Sequence, residues 1–303
     1  MEKIITICGP TGIGKTGFAI ALAKSCNAEI IGADSMQIYK YMDIGTAKPD
    51  AAELAQAPHH LVDFLDPARD FNAGQYAQMA AQKIIDITRK GRVPIIAGGT
   101  GLYIRALLYG LFRSSPVCEK TLARLTRTAQ EKGSAYLHQQ LQACDFAAAQ
   151  KIHPHDSFRI IRALEIFQAT GTPISQMQKE HNSNASRYKR LTIGLFMDRH
   201  ALYERINLRV DAMIREGLLA EVKNLVEKGY SLDLKSMQSI GYRHMGWFLK
   251  NELDFDRAVS LLKRDTRRYA KRQFTWFRKE PGIIWLKPSQ IARAKTLAKE
   301  FLT

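Results

Sequence analysis

The stretch IITICGPTGIGKTGFAIALAK, residues 4–24, constrains the fold of this chain more than any other. An apolar run at 3–8 breaks at a glycine-rich turn, and helical spacing follows from about Lys15 to Cys26, which predicts strand, loop and helix. Gly9-Pro10-Thr11-Gly12-Ile13-Gly14-Lys15-Thr16 matches G-x-x-x-x-G-K-[ST] in that setting. Glycines let backbone N–H groups turn inward around phosphate oxygens, and the helix N-terminus adds partial positive charge. Lys15 supplies a full charge, and the Thr16 hydroxyl is placed to ligate Mg²⁺. A phosphate site follows from this loop. Its ligand does not.

The strand-then-helix rhythm continues. AEIIGADS (28–35) and VPIIAGGTG (93–101) predict two more strands, and YAQMAAQKIIDITRKG (76–91) a helix that stops at Gly91. Such alternation argues for an α/β fold, a P-loop NTPase-like parallel sheet flanked by helices, with the second strand beside the first. From Ser114 the texture changes to polar, basic helical segments, EKTLARLTRTAQEKG, SAYLHQQLQ and HDSFRIIRALEIFQATG. The expected organisation is a core of residues 1–113 and 187–303, with a small helical insertion domain at 114–186. RLTIGLFMD (190–198) returns to strand, followed by helices at 200–216 and 217–228, a basic helix at about 254–279 and a last strand at 282–287.

The net charge of +16 is unevenly placed. Residues 1–100 hold ten Lys/Arg and ten Asp/Glu, whereas residues 101–303 hold 35 and 19. A localised excess points to a polyanion, most often nucleic acid. It is densest at 257–280, with nine Lys/Arg and two acids. On a helix, Arg264, Arg268 and Arg272 form one i,i+4 stripe and Lys263, Arg267 and Lys271 the next. Like charges so spaced repel, and phosphates would offset that repulsion. Leu261, Leu262, Tyr269, Phe274 and Phe277 would supply the buried face.

No apolar run reaches the length of a membrane span, and IITIC is too short for an export signal. Four cysteines, Cys8, Cys26, Cys118 and Cys144, form no C-x-x-C pair, which fits a reducing cytoplasm. His59-His60 has no partner at zinc-ligand spacing and reads as a loop or packing pair. Asp34, at the end of the second strand, should sit at the carboxyl edge where open α/β sheets bind ligands. A carboxylate there is a candidate general base, a candidate magnesium ligand through water, or a helix cap. Ser35 and Gln37 beside it can bond a nucleobase edge, and Thr100 would face the same crevice. Asp198 is a candidate Walker-B carboxylate or a strand-end turn. Arg205 and Arg209, one helical turn apart, fit a diphosphate clamp or surface ion pairs.

Gly9–Thr16, DSMQIY (34–39), GGTGLYIRALLYGL (98–111), FRIIRALEIF (158–167), SIGYRHM (239–245) and KRQFTWFR (271–278) occur in the order seen in the tRNA dimethylallyltransferase, or tRNA isopentenyltransferase, family. The chain resembles that family over nearly its whole length. The resemblance implies transfer of a dimethylallyl group from dimethylallyl diphosphate to N6 of the adenosine just 3′ of the anticodon, position 37, in tRNAs reading codons that begin with U. It implies that the loop the family describes as nucleotide-binding holds the prenyl diphosphate, with Mg²⁺ at Thr16. By the same resemblance Asp34 is the base, Thr100 lies near the reacting nucleotide, and Lys15 with Arg209, backed by Arg205, stabilises the leaving diphosphate.

Implied RNA contacts fall on Asp34, Ser35, Met36, Gln37 and Thr100, on Phe158, Arg159, Ile160, Ile161 and Arg162, and on Gln238, Ser239, Ile240, Gly241, Tyr242 and Arg243. A last group is Lys271, Arg272, Gln273, Phe274, Thr275, Trp276, Phe277 and Arg278. The insertion domain would grip the anticodon stem-loop, and a monomer is expected. One departure stands out. The family places an arginine where CEKTLAR has Leu122 or Ala123, so either Arg124 substitutes or one RNA contact is missing. Three other readings remain open at this level: a small-metabolite kinase, an RNA-binding protein without catalysis, and an RNA-coupled ATPase.

Overall fold

The computed structural model describes residues 1–111, 119–181 and 185–303. Ser114, the expected start of the insert, and Cys118 lie outside the described residues. The chain divides into two compact units, Met1–Gly110 with Ser186–Thr303, and Leu111–Ala185.

The larger unit starts with β1 (Lys3–Cys8), α1 (Lys15–Cys26), β2 (Ala28–Gly32), α2 (Ala51–Leu54), β3 (His59–His60), α3 (Ala73–Arg89), β4 (Val93–Gly98) and α4 (Gly101–Tyr109). The smaller unit holds α5 (Glu119–Lys132), α6 (Ser134–Cys144), α7 (Phe146–Ala149), α8 (Ser157–Thr170) and α9 (Ile174–His181). The chain re-enters the sheet at β5 (Lys189–Leu195) and continues through α10 (Arg199–Arg215), α11 (Leu218–Glu227), α12 (Tyr242–Leu249), α13 (Phe255–Phe277), β6 (Ile283–Leu286) and α14 (Ile291–Leu302). Among the described residues no helix is long and apolar enough to cross a membrane.

All six strands are parallel, in the order β3-β2-β4-β1-β5-β6. The expected neighbourhood of β2 and β1 is therefore wrong: β4 lies between them, pairing Ile31 with Ile96 on one side and Ile7 with Ala97 on the other. Both β1 and β4 are apolar runs buried on two faces, so nothing in their composition ranks them by position.

Side chains two apart in β1 build the two layers. Ile5 and Ile7 pack with Phe18 and Leu22 of α1 and Ala294 and Ala298 of α14. Ile4 and Cys8 pack with Tyr76 and Ile84 of α3 and Leu107 of α4. A third core, including Met42, Val210, Leu218, Tyr242 and Leu262, joins α10 through α13 to the segment after β2. The insert closes on a core of its own, with Leu125, Leu137, Leu141, Ile160 and Leu164 at its centre.

Candidate active site

The phosphate loop leaves β1 and turns into α1 through Gly12 (φ 79°) and Gly14 (φ 95°), backbone angles an L side chain rarely adopts. Gly12 has a second reason to be glycine, since a Cβ there would stand 2.9 Å from Cγ1 of Ile206 on α10. No acidic residue enters the first turn of α1, which keeps the cradle positive. Ile13 is fully buried and anchors the loop from beneath. Lys15 Nζ donates to the Pro10 carbonyl at 2.9 Å. Burial pushes the Lys15 ammonium down to about 8, against the pull of Asp34 and with a push from Arg209.

Asp34 follows β2 at the same carboxyl edge. Its Oδ1 accepts the N–H groups of Met36 at 2.9 Å and Gln37 at 3.4 Å. That turn fulfils the cap reading with one oxygen; Oδ2 has no protein partner among the described residues. Thr100 is tied to the same edge twice, its N–H donating to the Ala33 carbonyl at 3.0 Å and its Oγ1 accepting the Ser35 N–H at 3.0 Å. A Cβ on Gly98 would collide with Ala33, so β4 must end in glycine for β2 to pass this close. Gln37 has less freedom than the sequence suggested: its Nε2 donates to the carbonyls of Thr46 and Ala47 at 3.2 and 2.8 Å.

Two adjoining chambers meet at Asp34 and Arg209. One is lined by Thr11, Gly12, Gly14, Lys15 and Thr16 of the phosphate loop, with Asp34, His59 and Arg209. The other shares Thr11, Gly12, Asp34 and Arg209 and is walled by Met36, Ile206, Val210, Met213, Ile240 and Leu262. A charged compartment thus opens onto an apolar one. Burial lowers the Arg209 guanidinium pKa, and Asp34 opposes that shift. Arg205 also reaches the loop, with a guanidinium nitrogen 3.5 Å from where a Gly14 Cβ would stand.

Sequence reasoning passed over Glu221 on α11. Its carboxylate accepts the N–H groups of Asp43, Ile44 and Gly45 at 2.9, 2.8 and 3.1 Å and the Tyr242 hydroxyl at 2.6 Å. It shapes the segment that brings Thr46 to both chambers. One glutamate among several on a helix carries no signal of this.

The basic helix α13 departs from expectation in how its charges are kept. Asp265 is buried and gathers Arg243 at 2.7 Å, Arg264 at 2.9 Å and Arg268 at 3.8 Å. Lys263 pairs with Asp211 at 2.6 Å, and Arg267 donates to Asn207 Oδ1 at 2.6 Å. Carboxylates and an amide of the protein itself offset much of the repulsion, so phosphates are not needed to hold this helix. The buried face includes Asp265 and Gln273 beside Leu262 and Phe277. Tyr269 lies beside Thr100 and lines the apolar chamber, its hydroxyl raised well above the ordinary tyrosine range by burial.

The segments assigned to RNA split by exposure. Lys271, Arg272, Thr275, Trp276 and Arg278 are exposed and Phe274 is half-buried, whereas Gln273 and Phe277 point inward. Gln238 is exposed, Ser239 and Ile240 line the apolar chamber, Gly241 caps α12, and Tyr242 is fully buried. In the insert, Phe158 is 80% exposed at the start of α8 and Arg159 pairs with Asp156 at 3.4 Å. Ile160 and Ile161 belong to the insert core, and Arg162 pairs with Glu165 at 2.7 Å. Arg124 donates to Gln168 at 2.6 Å, and Leu122 is exposed on α5.

The Walker-B reading of Asp198 falls. The residue is exposed and caps α10, with Oδ1 accepting from His200 and Ala201 at 2.8 and 3.2 Å. His59 donates from Nδ1 to the Ala57 carbonyl at 2.8 Å, and burial pushes its pKa down. His60 meets Glu29 at 2.6 Å. Among the described residues no group of three His, Cys, Asp or Glu is placed to hold a metal. Cys8 is buried at the end of β1, and its thiol is pushed up to about 12.

A phosphate cradle facing a carboxylate and a basic helix define a group-transferring enzyme of the P-loop type that works on a polyanion. A profile of the IPP transferase family matches residues 37–280. A tRNA dimethylallyltransferase of Desulfosudis oleivorans is 50% identical over 301 residues, 99% of this chain and 96% of that protein. The crystal structure of a tRNA isopentenylpyrophosphate transferase from Bacillus halodurans superposes with a TM-score of 0.74 at 39% identity, covering 100% and 97% of the two chains. A eukaryotic dimethylallyltransferase acting on tRNA gives 0.81 at 29% identity, over 99% of this chain and 77% of that one. The chain belongs to the IPP transferase family, the tRNA dimethylallyltransferases.

Proposed function

We propose that this site transfers the dimethylallyl group of dimethylallyl diphosphate to N6 of adenosine 37 in tRNAs reading codons that begin with U, releasing diphosphate. One observation carries the assignment of roles: the phosphate loop and Asp34 line the same chamber, with Arg209 between it and an apolar one. The loop N–H groups and Lys15 hold the diphosphate, the apolar chamber takes the five-carbon chain, and Asp34 receives the amine.

Adenine N6 is a weak nucleophile because its lone pair is delocalised into the ring. The allylic carbon compensates by bearing positive charge as its C–O bond breaks. Charge then grows on the leaving diphosphate, where Lys15, Arg209 and the loop N–H groups act most strongly. Asp34 Oδ2 accepts a hydrogen bond from the amine and takes its proton as the N–C bond forms. Thr100 and Ser35 fix the edge on which Asp34 stands. The adenine leaves its stack to arrive here, at a cost of a few kcal/mol.

Thr16 lines the charged chamber with Asp34 as its one carboxylate. That donor set fits Mg²⁺ held by a hydroxyl, water and substrate phosphate oxygens rather than by a protein cage. Bound there, the ion would neutralise charge on the departing diphosphate.

The exposed Lys271, Arg272 and Trp276, with Phe158 and Arg159 of the insert, are the surfaces assigned to the anticodon stem-loop. The test is incubation of the purified protein with unmodified tRNA, Mg²⁺ and radiolabelled dimethylallyl diphosphate, beside a tube with γ-labelled ATP. Label is expected in RNA from the prenyl donor. ATP hydrolysis without RNA label would overturn the reading.

A further inference from the structure

Gln273 stands among residues assigned to RNA contact, yet only 5% of it is exposed and its amide is committed inside the protein. Its Oε1 accepts the Thr11 N–H at 2.8 Å, and its Nε2 donates to the Gly99 carbonyl at 2.9 Å. Thr11 belongs to the phosphate loop and lines both chambers. Gly99 immediately precedes Thr100, which holds Ser35 and so the Asp34 edge. One planar amide therefore spans the cradle and the edge that bears the carboxylate. The approach is close enough that a Cβ on Gly99 would collide with Nε2.

The helix cannot slide at this point. One turn before Gln273, Tyr269 lies beside Thr100. One turn after it, Trp276 rests against Gly101 and Phe277 joins the core with Ile104 and Leu107.

We infer that Gln273 is a positioning residue for prenyl transfer, holding the diphosphate cradle at a set distance from Asp34 and Thr100. The allylic carbon must lie in line between the leaving oxygen and the attacking nitrogen. An error of an ångström in such a geometry costs on the order of a hundredfold in rate. Gln273 touches neither substrate and acts through Thr11 and Gly99. The inference rests on the assignment of Gly9–Thr16 to the diphosphate and of Asp34 to the amine.

The test is Gln273→Met, which keeps the volume and removes both hydrogen bonds. Steady-state transfer from dimethylallyl diphosphate to unmodified tRNA is expected to show kcat lower by about ten- to a hundredfold, with KM for tRNA within about twofold of wild type. A merely structural role would instead lower the melting temperature and the yield of active enzyme, leaving kcat per active site unchanged. Gln273→Glu keeps an acceptor for Thr11 and loses the donor to Gly99, and decides the matter if the first variant does not fold. Wild-type kcat in either folded variant overturns the inference, as does loss of fold in both. Wild-type protein that transfers no prenyl group sinks the functional reading instead; wild-type transfer with an indifferent Gln273 sinks only this one.

Discussion

The backbone N–H of Ser35 donates to Thr100 Oγ1 at 3.0 Å, joining the end of β2 to the start of α4. This bond fixes the edge from which Asp34 reaches the charged chamber. Asp34→Ala should lower transfer by about 10²- to 10⁴-fold, the usual contribution of a positioned general base. Binding of tRNA, measured by filter retention, should stay within about threefold, because the basic surface is untouched. Equal loss of both would make Asp34 an RNA-positioning residue.

Lys15 gives the reaction an alkaline limit. Its free-enzyme pKa is pushed down to about 8 by burial, so the ammonium is charged below that pH and neutral above it. A cradle that loses this charge holds the diphosphate less well, so kcat/KM for the prenyl donor should fall as pH rises through about 8. The profile of kcat should stay flatter, since bound diphosphate raises the lysine pKa. Lys15→Arg should remove the alkaline limb of kcat/KM, the guanidinium staying charged throughout.

How much of this was legible in the chain depends on whether a residue acts locally or across the fold. The phosphate loop was, because its chemistry is written in eight consecutive positions between a strand and a helix. The charge asymmetry by itself points to α13, where nine Lys/Arg stand against two acids over residues 257–280. Strand order was not, because β1, β2 and β4 are apolar runs of similar length and only packing decides which lies centrally. The inward roles of Asp265 and Gln273 were hidden, because the expected buried face of α13 held only Leu261, Leu262, Tyr269, Phe274 and Phe277, and Gln273 sat among the implied RNA contacts. Asp265 is buried beside Arg243 and His244 of α12 as well as its own neighbours Arg264 and Arg268, and the Gln273 bond to Thr11 spans 262 residues. Asp198 was ambiguous until its carboxylate was seen to cap α10.

The RNA surface has a salt signature. Arg268 and Arg272 are exposed on α13, Arg268 meeting Asp265 only at 3.8 Å, whereas Lys263 and Arg267 are held at 2.6 Å by Asp211 and Asn207. The double variant Arg268→Ala, Arg272→Ala should weaken tRNA binding and reduce the slope of log K against log salt by about 1 to 2, one step per lost phosphate contact. Lys263→Ala should leave that slope unchanged. A double variant with the wild-type slope would move the RNA site off this face.

The buried His244 links stability to pH. Its Nδ1 accepts the Gly241 N–H at 3.3 Å, so the neutral ring carries its proton on Nε2, facing Asp265 at 3.3 Å. Burial and the neighbouring Arg243 lower its pKa to about 4, against the pull of Asp265. The unfolded chain, with an ordinary histidine value of about 6.5, takes up the proton first as pH falls. The stability His244 contributes is therefore complete above about 6.5 and is lost progressively toward 4, by up to about 3 kcal/mol. Urea unfolding at pH 7.5, 6 and 4.5 should show that decline in the wild type. His244→Gln, which does not titrate, should be less stable at pH 7.5 and decline less steeply across the same interval. Identical slopes in the two proteins would place the acid sensitivity elsewhere, with Glu29 the next group to examine. Hydrogen bonds from His60 and Arg92 hold Glu29 below the usual carboxylate range despite its burial.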